Sequence, residues 1–554
     1  MSLPDEQPNP LHAIAPPGSS WSSINLAEAV PGVMTPLCAS AWVPASELGL
    51  RLPFHAMGVL PGRELAIPDD PDERITNAFY GRMAVRVDFL CRIGDLVPGQ
   101  SGEALSRDFF GFVPPDYESS PSLRRLPMIL LRYPRTFVTI AKRVERLRAS
   151  TDAWWRTEIP RTDTLDLGAA QARLVEAKDR FAEALAAQAL ISASAIQPVQ
   201  EQLDKVCRAA SVDPAVLLRG ASHEEGVVLD DLWQVSRGTL TLEEFLGRHG
   251  YHGPGEGEAA TTVWREDPAP LRRLVAQYAT KPDAEAPGAT AAQHAVQRTD
   301  AERRLLEASG RLGRVRTRLV LRLARRLIPL RGTGKVSYLQ ALDVLRATTR
   351  RIGALIVADG LVDLVDDAFY LTADELADPG VLARGGELRA VVAERRALRA
   401  RYQSLRVPAA WTGQPAPEVS GSDDTGGDDV TTLRGVGACA GTVEGRAVIA
   451  LDPSSTEIDE GDILVAHTTD PAWVSLMFLA GALVVDIGGL MSHAAVVARE
   501  LGIPCVMNTG HGTTALRTGD RITVDGTTGT VTVLGRAEDE ETSGTTSPTT
   551  GARA

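Results

Sequence analysis

Residues 486–506 read DIGGLMSHAAVVARELGIPCV, with one histidine, His493, just past a Gly-Gly pair and at the head of an alanine- and valine-rich run. Ser492 is a good N-cap residue, and Gly502 followed by Pro504 is a stop signal, so the pattern predicts a helix over Ser492–Leu501. His493 then falls on the first turn, where unpaired N–H groups and the positive end of the helix dipole favour an anion. A phosphoryl group on an imidazole nitrogen would carry its charge into that position. Gly488 and Gly489 would let backbone N–H groups approach it with no Cβ in the way. On these residues alone a second reading stays open, in which a capped helix holds a half-buried histidine and nothing more.

A second set of reactive side chains lies in HGYHGPGEGE (249–258), where two histidines and two glutamates surround a glycine-rich turn that can fix their directions. His249, His252 or Glu256 could each take a proton from a substrate hydroxyl if its environment tunes it near neutral pH. A purely structural loop with an ion-paired Glu256 is the alternative. Arg331 and Lys335, in RGTGK (331–335), are candidates for holding phosphate. The stretch is not a nucleotide-binding P-loop, because it lacks the full spacing and the Ser/Thr after the lysine. Upstream, Arg311, Arg314, Arg318, Arg322 and Arg325 recur at steps of three and four beside Leu312, Val315, Leu319, Leu323 and Leu327. This pattern predicts a buried apolar face next to a solvated cationic one; a phosphate-binding wall or a dock for an acidic partner are the functional alternatives.

The elements that must position these residues differ along the chain. Residues 1–20 are acidic and proline-rich and read as a disordered tail. From 21 to 411 long helical periodicities dominate, as in Leu165–Ile196, Asp300–Ile328 and Val336–Asp359, and Lys281–Thr290 reads as a surface loop. Residues 412–430, with PAPEVSGSDDTGGDD at their centre, read as a flexible linker. Over 431–536 the texture becomes strand-like, at Thr442–Ala450, Asp462–His467, Leu483–Asp486 and an Arg521–Leu534 hairpin, with helices at Ala472–Ala480 and Ser492–Leu501. Residues 537–554 read as a second disordered tail. The fold class expected is multidomain α+β: a large, mainly helical substrate-binding-like domain followed by a compact β/β/α domain.

Composition narrows the classes. The 554 residues carry a net charge of −13, which argues against a dominant nucleic-acid or anionic-membrane surface. Five scattered cysteines with no CxxC pair suit a reducing compartment and give no zinc site, so no metal is expected. With no basic and apolar leader and no apolar run long enough to span a bilayer, the expected location is the cytoplasm.

The segments GVGACAGTVEGRA (435–447), TTDPAW (468–473), VVDIGGLMSHAAVVARELGIPCV (484–506) and GDRITVDGTTGTV (519–531) together resemble the phosphohistidine swivelling domain of the phosphoenolpyruvate-utilising dikinase family. That family includes pyruvate phosphate dikinase, phosphoenolpyruvate synthase and rifampicin phosphotransferase. Ala440 stands where the family more often has proline. The resemblance implies that His493 takes a phosphoryl group from a nucleotide site and carries it to a second site, with Gly488, Gly489, Ser492 and Thr469 supporting the phosphate. NLAEAVPGVMTPLCASAW (25–42), FLGRHGYHGPGEGEAATTVWREDPAPL (245–271), LRGTGKVSYLQALDVLRATTRRIG (330–353) and VDDAFYLTADEL (365–376) are similar to the substrate region of the rifampicin phosphotransferase branch. Tyr251-His252 replaces the His-Arg common there. Relatives of this type also carry an ATP-grasp domain, and some a phosphoenolpyruvate-binding barrel. Neither is accounted for by these segments, so ATP and Mg²⁺ are expected to be handled by a separate ATP-grasp subunit. The expected function is transfer of a phosphoryl group from ATP through His493 to a hydroxyl of a small-molecule, natural-product-like acceptor. A non-catalytic binding or regulatory protein with a relic swivelling domain, and an enzyme that phosphorylates a hydroxyl to drive its elimination, remain as alternatives.

Overall fold

The computed structural model describes residues 9–537 except 25, 27–28, 31, 111, 219–222, 284–285, 287–290, 420–430, 452–455, 457, 470–472 and 490–491. The chain divides into two compact units, residues 1–422 and 423–554, each with its own core.

The first unit is mainly helical. Its elements include α1 (Pro36–Ala56), α2 (Leu126–Glu158), α3 (Leu167–Ile191), α4 (His223–Ser236), α5 (Leu242–His249), α6 (Arg311–Leu327) and α7 (Leu330–Ala358). Asp166 caps α3 by accepting the Ala169 N–H at 2.8 Å. Along α3 the buried residues Ala170, Leu174, Ala177, Phe181 and Ala184 alternate steps of four and three, so one narrow face is apolar throughout. That face is rich in alanine, which lets α3 pack closely against both α1 and α7. Trp42, Phe181 and Tyr338 tie the three helices together edge to face, with Trp42–Phe181 centroids 4.9 Å apart.

Several expectations change here. The periodicity over Asp300–Ile328 is two helices, Ala291–Ala308 and α6, because Ser309-Gly310 interrupts it. The arginine-bearing helix α6 is turned from the predicted face: Thr317, Val320, Leu321, Ala324 and Leu327 are buried, while Val315 is 66% and Leu319 55% exposed among the arginines. Two adjacent stripes satisfy a helical period equally well, and packing selected the one with the smaller residues. The N-terminal stretch is not a tail from Asn9 onward. Leu11 is fully buried, and the Asn9 amide donates to the Tyr402 hydroxyl at 3.0 Å.

Strands β1 (Ser20–Ser22), β2 (Thr76–Phe79), β3 (Arg82–Arg86), β4 (Leu405–Arg406), β5 (Ala410–Thr412) and β6 (Glu418–Val419) complete the unit. One sheet has the order β2-β3-β1-β5, and β4 pairs with β6. Residues 412–419 of the predicted linker are therefore partly strand, because short extended segments with proline between them suit sheet edges. The remainder of that linker from 420, most of the Lys281–Thr290 loop and the C-terminal tail from 538 lie outside the described residues.

The second unit is built on one mixed sheet of β7 (Thr432–Arg434), β8 (Val436–Cys439), β9 (Thr442–Ala450), β10 (Ile463–Ala466), β11 (Ala482–Val485), β12 (Cys505–Met507), β13 (Arg521–Asp525) and β14 (Thr530–Gly535). The spatial order is β7-β14-β13-β9-β10-β11-β12-β8. The central run β9-β10-β11-β12 is parallel, with α8 (Val474–Leu479) and α9 (His493–Leu501) in the crossovers. A short α10 (Gly512–Ala515) follows β12. Strands β10 and β11 are buried along their whole length, which explains why ILVA and ALVV run apolar without alternation. The fold is thus multidomain α+β, with a helical unit followed by a compact mixed-sheet unit.

Candidate functional site

Two sets of reactive side chains are described, one in each unit. In the C-terminal unit the parallel strand β11 ends at Val485, and α9 begins at His493. Asp486 anchors the end of β11. Its carboxylate, 1% exposed, accepts the Thr509 hydroxyl at 2.8 Å, the Thr513 N–H at 3.2 Å, and the Gly512 N–H and Thr513 hydroxyl. His467 Nδ1 lies 3.5 Å from it. Burial alone would raise the Asp486 carboxyl, but His467, Thr513 and Thr509 together hold it below the usual carboxylate range. It is therefore a fixed anion that ties the end of β11 to the Thr509–Thr513 segment.

Past Asp486 the backbone reaches Gly488 at φ +147°, a region that L side chains rarely adopt. A Cβ there would stand 2.5 Å from Met507 Cε and 3.0 Å from Ser492 Oγ, so glycine is required. Gly489 is different. A Cβ on it would meet nothing within 4 Å, so this residue borders open space.

Ser492 occupies the N-cap position with extended φ and ψ, yet its hydroxyl makes no cap bond and is buried without a partner among the described residues. The capping expectation is therefore right in place and wrong in contact, which leaves a polar oxygen at the helix head. His493, 7% exposed, is the first residue of α9, and its Nδ1 lies 3.3 Å from the Thr469 hydroxyl. Thr469 and Ser492 are likewise almost fully buried. Gly488, Ser492, Thr469 and His493 are thus brought together, and Gly502 ends α9 in the left-handed conformation at φ 72°.

In the helical unit, Thr241 and Glu244 form a capping box at the start of α5, with Thr241 Oγ1 accepting the Glu244 N–H at 3.1 Å. This short helix delivers His249 at its last turn. His249 Nε2 is 2.8 Å from Asp231 Oδ2 on α4, and Arg248 pairs with the same carboxylate. Burial pulls His249 down to about 4, although Asp231 acts in the opposite sense.

The loop that follows carries His252 and Glu256. Gly255 turns it at φ +59°, and Trp264 N donates to His252 O at 2.7 Å. His252 Nδ1 is 2.7 Å from Glu256 Oε2, and Lys335 Nζ is 2.7 Å from Glu256 Oε1. Burial would raise Glu256, but the Lys335 charge and the hydrogen bonds from His252 and Lys335 hold it below the usual carboxylate range.

A buried ionic scaffold fixes this loop from beneath. Arg346, 1% exposed, donates to the carbonyls of Ala259 and Glu258 at 3.1 Å each and pairs with Asp343. Asp343 also binds Arg265 through two contacts of 2.8 Å and accepts the Trp155 indole N–H at 2.8 Å. Glu258, the second glutamate of the loop, accepts both the N–H and the hydroxyl of Thr35 at the head of α1.

Lys335, read from sequence as a phosphate ligand, thus sits with the acceptor candidates. Arg331 is one turn earlier on α7, on the same helix face, and makes no ion pair among the described residues. His249 is paired separately with Asp231. Asp231, Asp343 and Arg346 were missed by sequence reading, because each lies in an ordinary helical pattern away from the loop. Asp486 had a signal: an acid closing an apolar strand just before the glycine pair. Among the described residues no cluster of three or more His, Cys, Asp or Glu could hold a metal ion, and no helix is long and apolar enough to cross a membrane.

Comparison with known proteins gives two family matches. Residues 458–529 match the PEP-utilising enzyme mobile domain, and residues 166–332 match the rifampicin phosphotransferase fourth domain. A protein of Mycobacterium tuberculosis described only as uncharacterised is 32% identical over 358 residues, which cover 63% of this chain and 37% of that protein. A rifampicin phosphotransferase of Streptomyces sviceus is 32% identical over 346 residues, 58% of this chain and 38% of that one. An uncharacterised phosphotransferase of Bacillus subtilis is 34% identical over 196 residues, covering 34% and 23%. The chain therefore spans well under half the length of these relatives. Residues 458–529 are thus similar to the mobile domain of the PEP-utilising enzymes and residues 166–332 to a rifampicin phosphotransferase domain, and the similarity runs to phosphotransferases of that branch.

Proposed function

We propose that this chain carries a phosphoryl group on His493 and delivers it to a hydroxyl of a small-molecule acceptor bound by the helical unit. The observation that carries the reading is His493 itself: a buried imidazole on the first turn of α9, oriented by Thr469 at Nδ1, behind a turn that requires Gly488. Engagement of Nδ1 directs phosphorylation to Nε2. The helix N-terminus, the Ser492 hydroxyl and the open space beside Gly489 then supply donors and room for an anion.

The donor in this reading is ATP with Mg²⁺, held by an ATP-grasp subunit. This chain's own work is to hold the imidazole, shield the P–N bond from water and stabilise the charge that passes through.

In the discharge step the acceptor oxygen bonds to phosphorus as the P–N bond breaks, and the hydroxyl proton must go to a base. Of the three candidates, His252 fits best. Glu256 is held as a carboxylate by Lys335 and His252, which makes it a poor proton acceptor. Burial lowers His249 to about 4, too weak a base for a neutral-pH reaction. His252 donates Nδ1–H to Glu256 in this assignment, so its Nε2 presents the lone pair. Lys335, and Arg331 one turn away, then offer positive charge for the transferring phosphoryl group.

The test is incubation of the chain with β- or γ-labelled ATP and candidate ATP-grasp proteins, including those encoded beside it. Acid-labile label that disappears in His493→Asn supports the reading. Failure of the wild-type chain to label with every such partner, while a rifampicin phosphotransferase labels in parallel, would contradict it.

A further inference from the structure

Two of the five cysteines face each other across the sheet of the C-terminal unit. Cys439 ends β8, one of the two edge strands of the sheet, and Cys505 begins β12 beside it. The two strands are antiparallel, and Cys439 and Cys505 are Cα partners in the register, beside an irregularity between Cys505 and Val506. Directly opposed residues of an antiparallel pair project from the same face, with Cα atoms roughly 4.5–5.5 Å apart. A disulfide spans about 4.4–6.8 Å between Cα atoms, a range that includes the spacing of regular antiparallel partners.

The surroundings keep the two residues in place. Cys439 is 3% and Cys505 0% exposed. Gly526 closes over the pair so tightly that a Cβ on it would stand 2.0 Å from Cys439 O and 2.7 Å from Cys505 N. Burial raises the Cys505 thiol, and its neighbour Cys439 raises it further, so oxidation of the pair passes through local opening of the edge strand. Cys38, Cys91 and Cys207 belong to the helical unit.

We propose that Cys439 and Cys505 form an oxidative modification site, at which a cross-strand disulfide staples the edge strand β8 to β12. The S–S bond forms as both S–H bonds break. Two protons and two electrons pass to a peroxide, giving two waters, or to a diazene oxidant, giving its hydrazine. Strand β12 ends at Met507, whose methyl group packs against the turn at Gly488, so the staple fixes the strand beneath that turn. The inference rests on the register of the sheet and is independent of the proposed phosphoryl transfer.

The test treats the folded full-length chain with diamide or hydrogen peroxide, blocks remaining thiols in denaturant, and maps tryptic peptides without reduction. The expected product joins the peptide Gly435–Arg446 to the peptide Glu500–Arg517, runs as a monomer, and disappears on reduction. Cys439→Ser and Cys505→Ser should each abolish it, with circular dichroism as the check that both variants fold. Recovery of both peptides unlinked after oxidation of the wild-type chain would overturn the proposal. So would either cysteine joined instead to Cys38, Cys91, Cys207 or a second chain.

Discussion

The two candidate sites hold their histidines by opposite means. Around His252, position is enforced by charge: Glu256 lies between an imidazole and an ammonium, and Asp343, Arg265 and Arg346 brace the loop below. Around His493, position is enforced mainly by backbone: a turn only glycine can make, a helix start, and two hydroxyls. The one carboxylate of that turn, Asp486, is consumed by the Thr509–Thr513 segment. A site that receives a dianionic group gains from few competing anions and many N–H donors, whereas a site that accepts a proton gains from a fixed carboxylate behind the base. The chemistry proposed for each unit follows this division.

The division can be broken deliberately. The largest effect is expected at the base. His252→Gln should slow transfer to acceptor by about 10²–10⁴-fold, the range usual for a lost general base, while leaving label on His493 unchanged. Single-turnover chase of the labelled chain with an accepted alcohol measures it. Equal loss of labelling and transfer would assign His252 a structural role instead.

Next comes the scaffold. Arg346→Met leaves Asp343 buried with one partner fewer, and should cost the helical unit about 3–5 kcal/mol. Urea unfolding followed by tryptophan fluorescence reads this unit preferentially, because seven of the eight tryptophans lie before residue 423. A change below about 1 kcal/mol would mean that the loop does not depend on the ionic support.

Gly488→Ala should cost the C-terminal unit about 1–3 kcal/mol, the range for a non-glycine residue forced into a sparsely populated backbone region. Gly489→Ala, by contrast, meets no protein atom and should leave stability unchanged. Hydrogen exchange at β11 and α9 separates the two. Similar protection in both variants would remove the distinction drawn between these glycines.

An effect of a size comparable to that at Gly488 concerns pH. His249 goes from 6.5 when unfolded to about 4 when folded, so the folded state resists protonation. Stability of the helical unit should therefore fall as pH drops from 6.5 towards 4, by up to about 3 kcal/mol before allowance for relaxation and solvent. His249→Asn should flatten that slope. An unchanged slope would show that His249 is not buried as a neutral ring.

The same contrast explains what was legible in the sequence. The His493 site is contiguous: glycine pair, serine, histidine and helix stop follow one another between residues 488 and 502 and could be read directly. Even so, the missing Ser492 cap bond could not be foreseen, because residue type gives the cap position but not the hydroxyl's direction. The His252 loop was visible as a motif, yet Lys335 and the Asp343–Arg346 pair come from a distant helix whose local pattern only says that it is buried. The α6 face failed for a related reason. Its arginines and leucines fit the helical period in two rotations, and only contact with neighbouring helices chooses between them. Strands β9, β10 and β11 and the β13–β14 hairpin were clear because buried parallel strands and a glycine-turned hairpin have distinct apolar patterns, whereas the three-residue β12 was not read.

In the proposed reaction the two histidines divide the work, His493 carrying the phosphoryl group and His252 taking the proton. Site-mapped phosphohistidine mass spectrometry on wild-type, His493→Asn and His252→Gln chains, each charged by the same ATP-grasp partner, tests it most directly. The expected result is a phosphorylated tryptic peptide Ala447–Arg499 in the wild-type and His252→Gln chains and none in His493→Asn. Phosphate found on any other residue, or retained in His493→Asn, would contradict it.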